Sequence, residues 1–217
     1  TGASGMVGRS LLNECLVNPE VENVLCLNRN TLNIQDKKYK EIIVNDFNEL
    51  PEAKNILKGY DACYWCLGVS SSYVSKEEYY KITYQVTMKY AHFLAEMNPG
   101  ITFCYVSGVG TDENEKSRMY WANVKGKVEN GLTEMKNIKA YLIRLGMLYP
   151  SKGIRSKTKS FDRMYRILRP VLYLTNVLFP KHIVRSENFG KALINLVTQA
   201  YVNQRINNKD LNILAGS

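Results

Sequence analysis

The chain has no uninterrupted apolar run long enough to cross a bilayer, which takes about 20 such residues, and no secretory signal is visible in it. It has only two histidines, His92 and His182, far apart, and no carboxylate cluster at ligand spacing. Those absences exclude the common metal sites. It carries no internal repeat, no low-complexity linker and no nucleic-acid-binding motif. Its five cysteines, at 15, 26, 63, 66 and 104, are odd in number. Four fall in runs that read as buried strands or a core-facing helix, which fits reduced thiols in a cytoplasmic protein rather than a disulfide framework. Cys63 and Cys66 form a C-x-x-C, but inside the apolar run Cys63-Tyr64-Trp65-Cys66-Leu67, where core packing is expected over redox or metal chemistry. Acidic side chains are the scarce charge: 20 against 29 basic ones, a formal net charge of +9. The basic residues are scattered, which points to solubility or a phosphate-bearing ligand and away from nucleic acid.

What is present begins at once. Thr1-Gly2-Ala3-Ser4-Gly5-Met6-Val7-Gly8 places three glycines at G-x-x-G-x-x-G and opens into a segment with Val7, Leu11, Leu12 and Leu16 at helical spacing. Glycines let backbone approach a pyrophosphate closely, and the unpaired amides at a helix start favour its charge. The alternative is a purely structural helix entry. A cradle of this kind follows a central strand, so the native polypeptide is expected to start upstream of Thr1.

Beyond the turn, short apolar runs alternate with helical periodicity. Residues 7–18 read as a helix, Val24 to Leu27 and Glu41 to Val44 as strands, 51–58 as a short helix, and Ala62 to Leu67 as a strand. A long helix over about 76–97 has Ile82, Val86, Tyr90, Phe93, Leu94 and Met97 on one face. Strand Ile101 to Val106, a helix over about 118–135, strand Ala140 to Ile143, an amphipathic helix from Phe189 and a last strand Leu211 to Leu214 follow. This alternation implies a three-layer, Rossmann-like, doubly wound parallel sheet, with ligands bound beyond the C-terminal strand ends. Residues 1–150 read as the nucleotide-binding domain and 151–217 as a small substrate lobe with the closing helix.

The strand ends carry the candidate site residues. A dinucleotide reader usually offers an acid there to the adenosine ribose. Here the second strand ends in Leu27-Asn28-Arg29-Asn30, with an arginine and no carboxylate. A guanidinium pairs with a 2′-phosphate, so NADP(H) is favoured over NAD(H); otherwise Arg29 is a solvated loop residue. Asp46 offers a carboxylate for the adenine amine, or a turn cap. Gly68 ends a strand where a side chain would crowd the cofactor, with Ser70, Ser71 and Ser72 beside it. Ser107 ends another strand, its hydroxyl expected to face the cleft.

Downstream lies Met119-Tyr120-Trp121-Ala122-Asn123-Val124-Lys125-Gly126-Lys127, and later Arg144-Leu145-Gly146-Met147-Leu148-Tyr149-Pro150. With the opening glycines, Ser107 and the lysine-bearing helix, these resemble the short-chain dehydrogenase/reductase superfamily, in its NAD(P)-dependent epimerase/dehydratase or atypical branch. The resemblance implies that Gly2, Ser4, Gly5, Met6, Val7, Arg29, Asp46, Gly68 and Lys125 hold the cofactor, Met6 and Val7 through their amides. It also implies a catalytic set of serine, tyrosine and a lysine four residues after the tyrosine, with the long helices either pairing in a homodimer or packing within a monomer. The tyrosine exchanges a proton with the substrate oxygen, and the lysine lowers its pKa and holds the nicotinamide ribose. Ser107 and Lys125 match, but the residue four before Lys125 is Trp121, whose indole is no general acid. Tyr120 is one residue away, about 100° around the helix, and a local bulge would be needed to bring it inward.

Two functions follow. One is an NADP(H)-dependent reductase or nucleoside-diphosphate-sugar epimerase/dehydratase-like enzyme acting on a small carbonyl or hydroxyl substrate, with Tyr120 or a substrate group supplying the proton. The other is a non-catalytic NADP(H)-binding redox-sensing or regulatory protein. The stretch after Pro150, with Lys152, Arg155, Lys157, Lys159, Arg163, Arg166 and Arg169, reads as a lobe receiving an anionic substrate or touching a membrane surface, or as a solvated face of a core-packing helix. Met164, Ile167, Leu168, Val171 and Leu172 supply the apolar side of such a helix. His182 and Arg185 lie near the lobe's return.

Overall fold

A computed structural model of the chain describes residues 1–51, 54–151, 183–199 and 201–216. The basic stretch after Ser151, its apolar face and His182 lie outside them. In chain order the labelled elements are α1 (Met6–Val17), β1 (Val24–Asn28), β2 (Tyr39–Ile43), β3 (Ala62–Trp65), α2 (Lys76–Tyr80), α3 (Val86–Met97), β4 (Ile101–Val106), α4 (Tyr120–Glu134), β5 (Ile138–Ile143), β6 (Met147–Tyr149), β7 (Ile183–Arg185), α5 (Ser186–Thr198), β8 (Arg205–Ile206) and α6 (Asn208–Ala215). A 3₁₀ turn covers Lys54–Leu57. The described residues fall into two compact units: Thr1–Ile43 with Leu145–Ala200 and Ile206–Ser217, and Val44–Arg144 with Tyr201–Arg205.

In the first unit β1 and β2 run parallel, from Val24 opposite Tyr39 to Asn28 opposite Ile43. Ala3, Leu12 and Cys26 form a core over which Leu16, Val24, Leu32, Ile34 and Tyr39 pack. β6 and β7 make a second parallel pair. In the second unit β3, β4 and β5 are parallel neighbours and β8 lies beside β5. Buried Trp65 stacks on Phe103 at 6.1 Å and meets Tyr90 of α3 at 5.1 Å between ring centroids. Aromatic pairs at these separations contribute beyond the area they bury. Parallel strands alternating with helices make this a Rossmann-like α/β fold.

Two expectations are corrected. The segment Leu211 to Leu214 is helical, inside α6. Asn207 caps that helix by accepting from the Lys209 and Asp210 amides, and the Asp210 carboxylate accepts from the Asn207 amide. This reciprocal cap fixes the helix start, and the apolar spacing then buries Leu211 and Leu214 together. The long helix over 76–97 is not continuous: Lys81–Gln85 is a π-turn between α2 and α3. Such turns cluster at functional sites.

The five cysteines are free. Cys63 and Cys66 are half-buried, and burial pushes the Cys63 thiol up to about 12, which makes it a poor nucleophile.

Candidate functional site

The opening glycines build a tight turn in the first unit. Gly2 has φ of 69°, a region an L side chain rarely enters, and its carbonyl accepts from the Gly5 amide at 2.9 Å. A Cβ on Gly8 would stand 2.3 Å from that carbonyl oxygen. The turn is therefore closed by backbone against backbone. α1 begins directly after it, with Gly5 as a cap that brings no side-chain acceptor and with no acid in the first turn. The first amides of α1, Met6 and Val7 among them, are left for an external acceptor. Ser4 is exposed beside them.

Arg29 stands exposed just past β1 and makes no hydrogen bond or ion pair among the described residues. The carboxylate missing from the end of β1 comes from the neighbouring strand. Glu41 on β2 accepts from the Thr31 hydroxyl, from Tyr39 at 2.8 Å, from the Leu32 amide at 3.1 Å and from Asn28 at 3.2 Å. These donors, Thr31 foremost, hold its carboxyl at about 2. Glu41 is thus committed to anchoring the segment around Arg29. Its position opposite Cys26 is a register fact that no local motif announces.

In the second unit Asp46 accepts from the Asn48 amide at 2.8 Å and its side-chain amide at 2.6 Å, which is the turn-capping alternative. Gly68 is exposed, and no atom of the described residues lies within 4 Å of where its Cβ would be. Ser70 folds back on its own turn, accepting from the Ser72 amide at 3.4 Å.

The structure brings Ser107 and Lys125 together. The Lys125 ammonium donates to the Ser107 carbonyl, and burial pushes it down to about 8 against the opposing pull of Glu129. The Ser107 hydroxyl corrects the sequence expectation. Rather than facing a cleft, it is buried and donates to Glu129 Oε1 at 2.6 Å. The Glu129 side chain is fully buried and gripped by Arg144, whose Nη2 donates to Oε2 at 2.6 Å and whose Nε lies 3.2 Å from both oxygens. Arg144 also reaches Glu113 at 2.9 Å, and Arg205 lies 2.8 Å from the same Glu113 oxygen. The sequence reading passed over Glu113 and Glu129. The one local hint for Glu129 was its place one turn beyond Lys125, on the same helix face.

Tyr120 is not brought to Lys125. No bulge occurs in α4, which is regular from Tyr120 to Glu134. The Tyr120 hydroxyl donates to the Lys76 carbonyl at 3.2 Å, and its ring meets Tyr79 at 6.2 Å. The position four before Lys125 is filled by Trp121, whose ring edge comes within 3.1 Å of a Cβ placed on Gly110. Arg185 is exposed, 3.9 Å from Glu187.

The glycine turn feeding a bare helix start belongs to the first unit, the lysine–serine pair at a strand end to the second, and both sit in a Rossmann-like α/β fold. Known proteins agree. No family model matches the chain. The rat protein HTATIP2 is 28% identical over 149 residues, 68% of this chain, and the match spans 60% of that protein's length. The mitochondrial protein FMP52 of Debaryomyces hansenii is 25% identical over 202 residues, 91% of this chain and 86% of that protein. Among solved structures, the Helicobacter pylori ADP-L-glycero-D-manno-heptose-6-epimerase superposes with a TM-score of 0.70 at 16% identity, over 95% of this chain and 73% of that one. The Bacillus cereus UDP-glucuronic acid 4-epimerase in complex with NAD gives 0.67 at 13% identity, over 95% and 74%. The PhqB reductase domain from Penicillium fellutanum gives 0.66 at 14% identity, over 95% and 64%. These neighbours share the Rossmann-like fold that the resemblance implies. Among the described residues no helix is long and apolar enough to cross a membrane, and no cluster suits a metal ion.

Proposed function

We propose that this chain binds NADP(H) and serves as an oxidoreductase or nucleoside-diphosphate-sugar epimerase/dehydratase-like protein for a small carbonyl or hydroxyl compound. The observation that carries the reading is the opening turn: its three glycines pack backbone on backbone and deliver a helix start with neither side-chain cap nor acid. That arrangement suits a diphosphate. Gly2, Ser4, Gly5, Met6 and Val7 would hold it, Arg29 the 2′-phosphate, Asp46 the adenine end and Lys125 the nicotinamide ribose. Gly68 would let the cofactor pass close to the backbone, with space around it free of the described residues. A nicotinamide supplies or accepts hydride. The protein's part is to bind it, orient the substrate and handle one proton. The free cysteines suit a reducing compartment, and we place the protein in the cytoplasm.

NADPH over NADH preference rests on Arg29. Arg29→Gln is expected to weaken NADPH binding about tenfold, the loss of one charge-assisted contact, and to leave NADH binding unchanged. Calorimetry with both nucleotides checks this, and a wild type that prefers NADH removes the assignment.

A second reading, NADP(H) binding without turnover in a redox-sensing or regulatory role, is favoured by a specific observation. Both candidate hydroxyls are engaged, Ser107 with Glu129 and Tyr120 with Lys76, and the tyrosine position carries Trp121. A Ser107 proton held by a carboxylate is not offered to a developing oxyanion. NADPH oxidation across a panel of carbonyl compounds decides between the two. Turnover abolished by Tyr120→Phe supports the enzyme; binding with no turnover supports the sensor.

A further inference from the structure

Glu129 is a fully buried carboxylate, and the other buried polar side chains among the described residues are uncharged serines, threonines and asparagines. Such an ion pair is a poor stability device, since well-packed apolar side chains of similar volume often do as well or better. An apolar residue cannot, however, accept the Ser107 hydrogen bond or offer an ammonium a negative charge. Glu129 does both from one position on α4. Its Oε1 takes the Ser107 hydroxyl at 2.6 Å, and it lies one turn beyond Lys125, whose ammonium its charge stabilises. Lys125 in turn donates to the Ser107 carbonyl, while the Ser107 amide is held by the Ile143 carbonyl at 3.0 Å. Ser107 is therefore fixed at amide, carbonyl and hydroxyl, two of these from α4. Arg144, with its Nε and Nη2 on the carboxylate, holds the Glu129 side chain in place.

We propose that Glu129 is a positioning residue of this site: it orients the Ser107 hydroxyl by accepting its hydrogen bond and lies one helical turn from Lys125 as its counter-charge. The proposal rests on the NADP(H) reading for what Ser107 and Lys125 serve, and on the geometry alone for how they are held. The other charged or titratable groups around the pair are Arg144 after β5, Glu113 in the loop after β4, Arg205 on β8 and the buried phenol of Tyr105 on β4. Glu113 pairs with both arginines, and the charge that acts on Lys125 against its burial is that of Glu129.

The test is an NMR titration of the lysine ammonium groups in the full chain, with Lys125 assigned by its loss in Lys125→Arg. The wild-type midpoint is expected near 8, as burial dictates. Glu129→Gln is expected to lower it by about one pH unit or more, the usual effect of removing an opposite charge at close range. Ser107→Ala is expected to leave it in place while shifting the Glu129 carboxyl carbon resonance. An unmoved Lys125 midpoint in Glu129→Gln, or an unmoved Glu129 resonance in Ser107→Ala, overturns the proposal. If Glu129→Gln does not fold, Glu129→Asp replaces it: the retracted carboxylate should lower the midpoint by less, and no shift there overturns the proposal equally. NADPH calorimetry against pH keeps the two readings apart. No heat from the wild type at neutral pH overturns cofactor binding and leaves the titration to judge Glu129. Binding that weakens above the Lys125 midpoint, at a lower pH in Glu129→Gln than in wild type, supports both. Binding with identical pH profiles in the two proteins overturns the positioning role alone.

Discussion

Gly8→Ala is expected to lower NADPH affinity at least about 100-fold, or roughly 2.8 kcal/mol. The added methyl would sit 2.3 Å from the Gly2 carbonyl oxygen, 2.6 Å from the Gly2 carbonyl carbon and 3.0 Å from the Ala3 Cα. All three are backbone atoms, so no rotamer relieves the clash. The turn must open, the 2.9 Å bond from the Gly5 amide to the Gly2 carbonyl is strained or lost, and the first amides of α1 no longer converge. Anion binding at a helix start depends on that convergence. Calorimetry on a folded Gly8→Ala protein checks it, with Val17→Ala, exposed at the far end of α1, as the control. Unchanged affinity would mean that the nucleotide does not use the opening turn.

The largest stability effect is expected at Gly126. A Cβ there would lie 1.8 Å from the Asp112 carbonyl oxygen and 2.6 Å from its carbonyl carbon. α4 runs directly against the loop that follows β4, and the Asp112 amide donates to the Ala122 carbonyl at 3.1 Å across the same contact. Helix and loop cannot separate without disturbing Lys125 and Glu129 on one side and the Asp112 turn on the other. Gly126→Ala is expected to cost about 3 kcal/mol, the upper part of the usual range for overpacking. That should appear as a fall in melting temperature of roughly 6 to 12 °C for a chain of this size. Thermal unfolding by circular dichroism measures it, and a melting point within a degree of wild type would show that the contact yields without cost.

These two glycines mark the boundary of what a sequence discloses. Gly8 was legible, because three glycines at fixed spacing before an apolar periodicity describe a local event completed within eight residues. Gly126 was not. Its need for a missing side chain comes from a loop 14 positions earlier in the chain, and the helix pattern around it reads the same with alanine. β4 was read with its bounds, Ile101 to Val106, because a β-branched and aromatic run between punctuating residues leaves little choice. α6 was misread because a short apolar run looks alike in either period, and the Asn207 and Asp210 cap was the signal that should have decided it. The π-turn at Lys81–Gln85 has no residue signature, since it reflects how the helix packs on its neighbours.

The site divides in the same way. Ser107 and Lys125 were identifiable from strand end and helix, and Trp121 from its spacing to the lysine. The sequence by itself determined the Rossmann-like class, the glycine turn, the lysine-bearing helix and the mismatch at the tyrosine position, because each is written in residues near one another along the chain. Only the tertiary structure decided that Ser107 turns inward, that Tyr120 bonds to Lys76, and that Glu129 and Arg144 share a buried charge. Those outcomes depend on which groups β4, β5 and α4 bring within 3 Å of one another. A carboxylate in a helix looks solvated until a sheet and a guanidinium, 15 residues away in the chain, remove it from water.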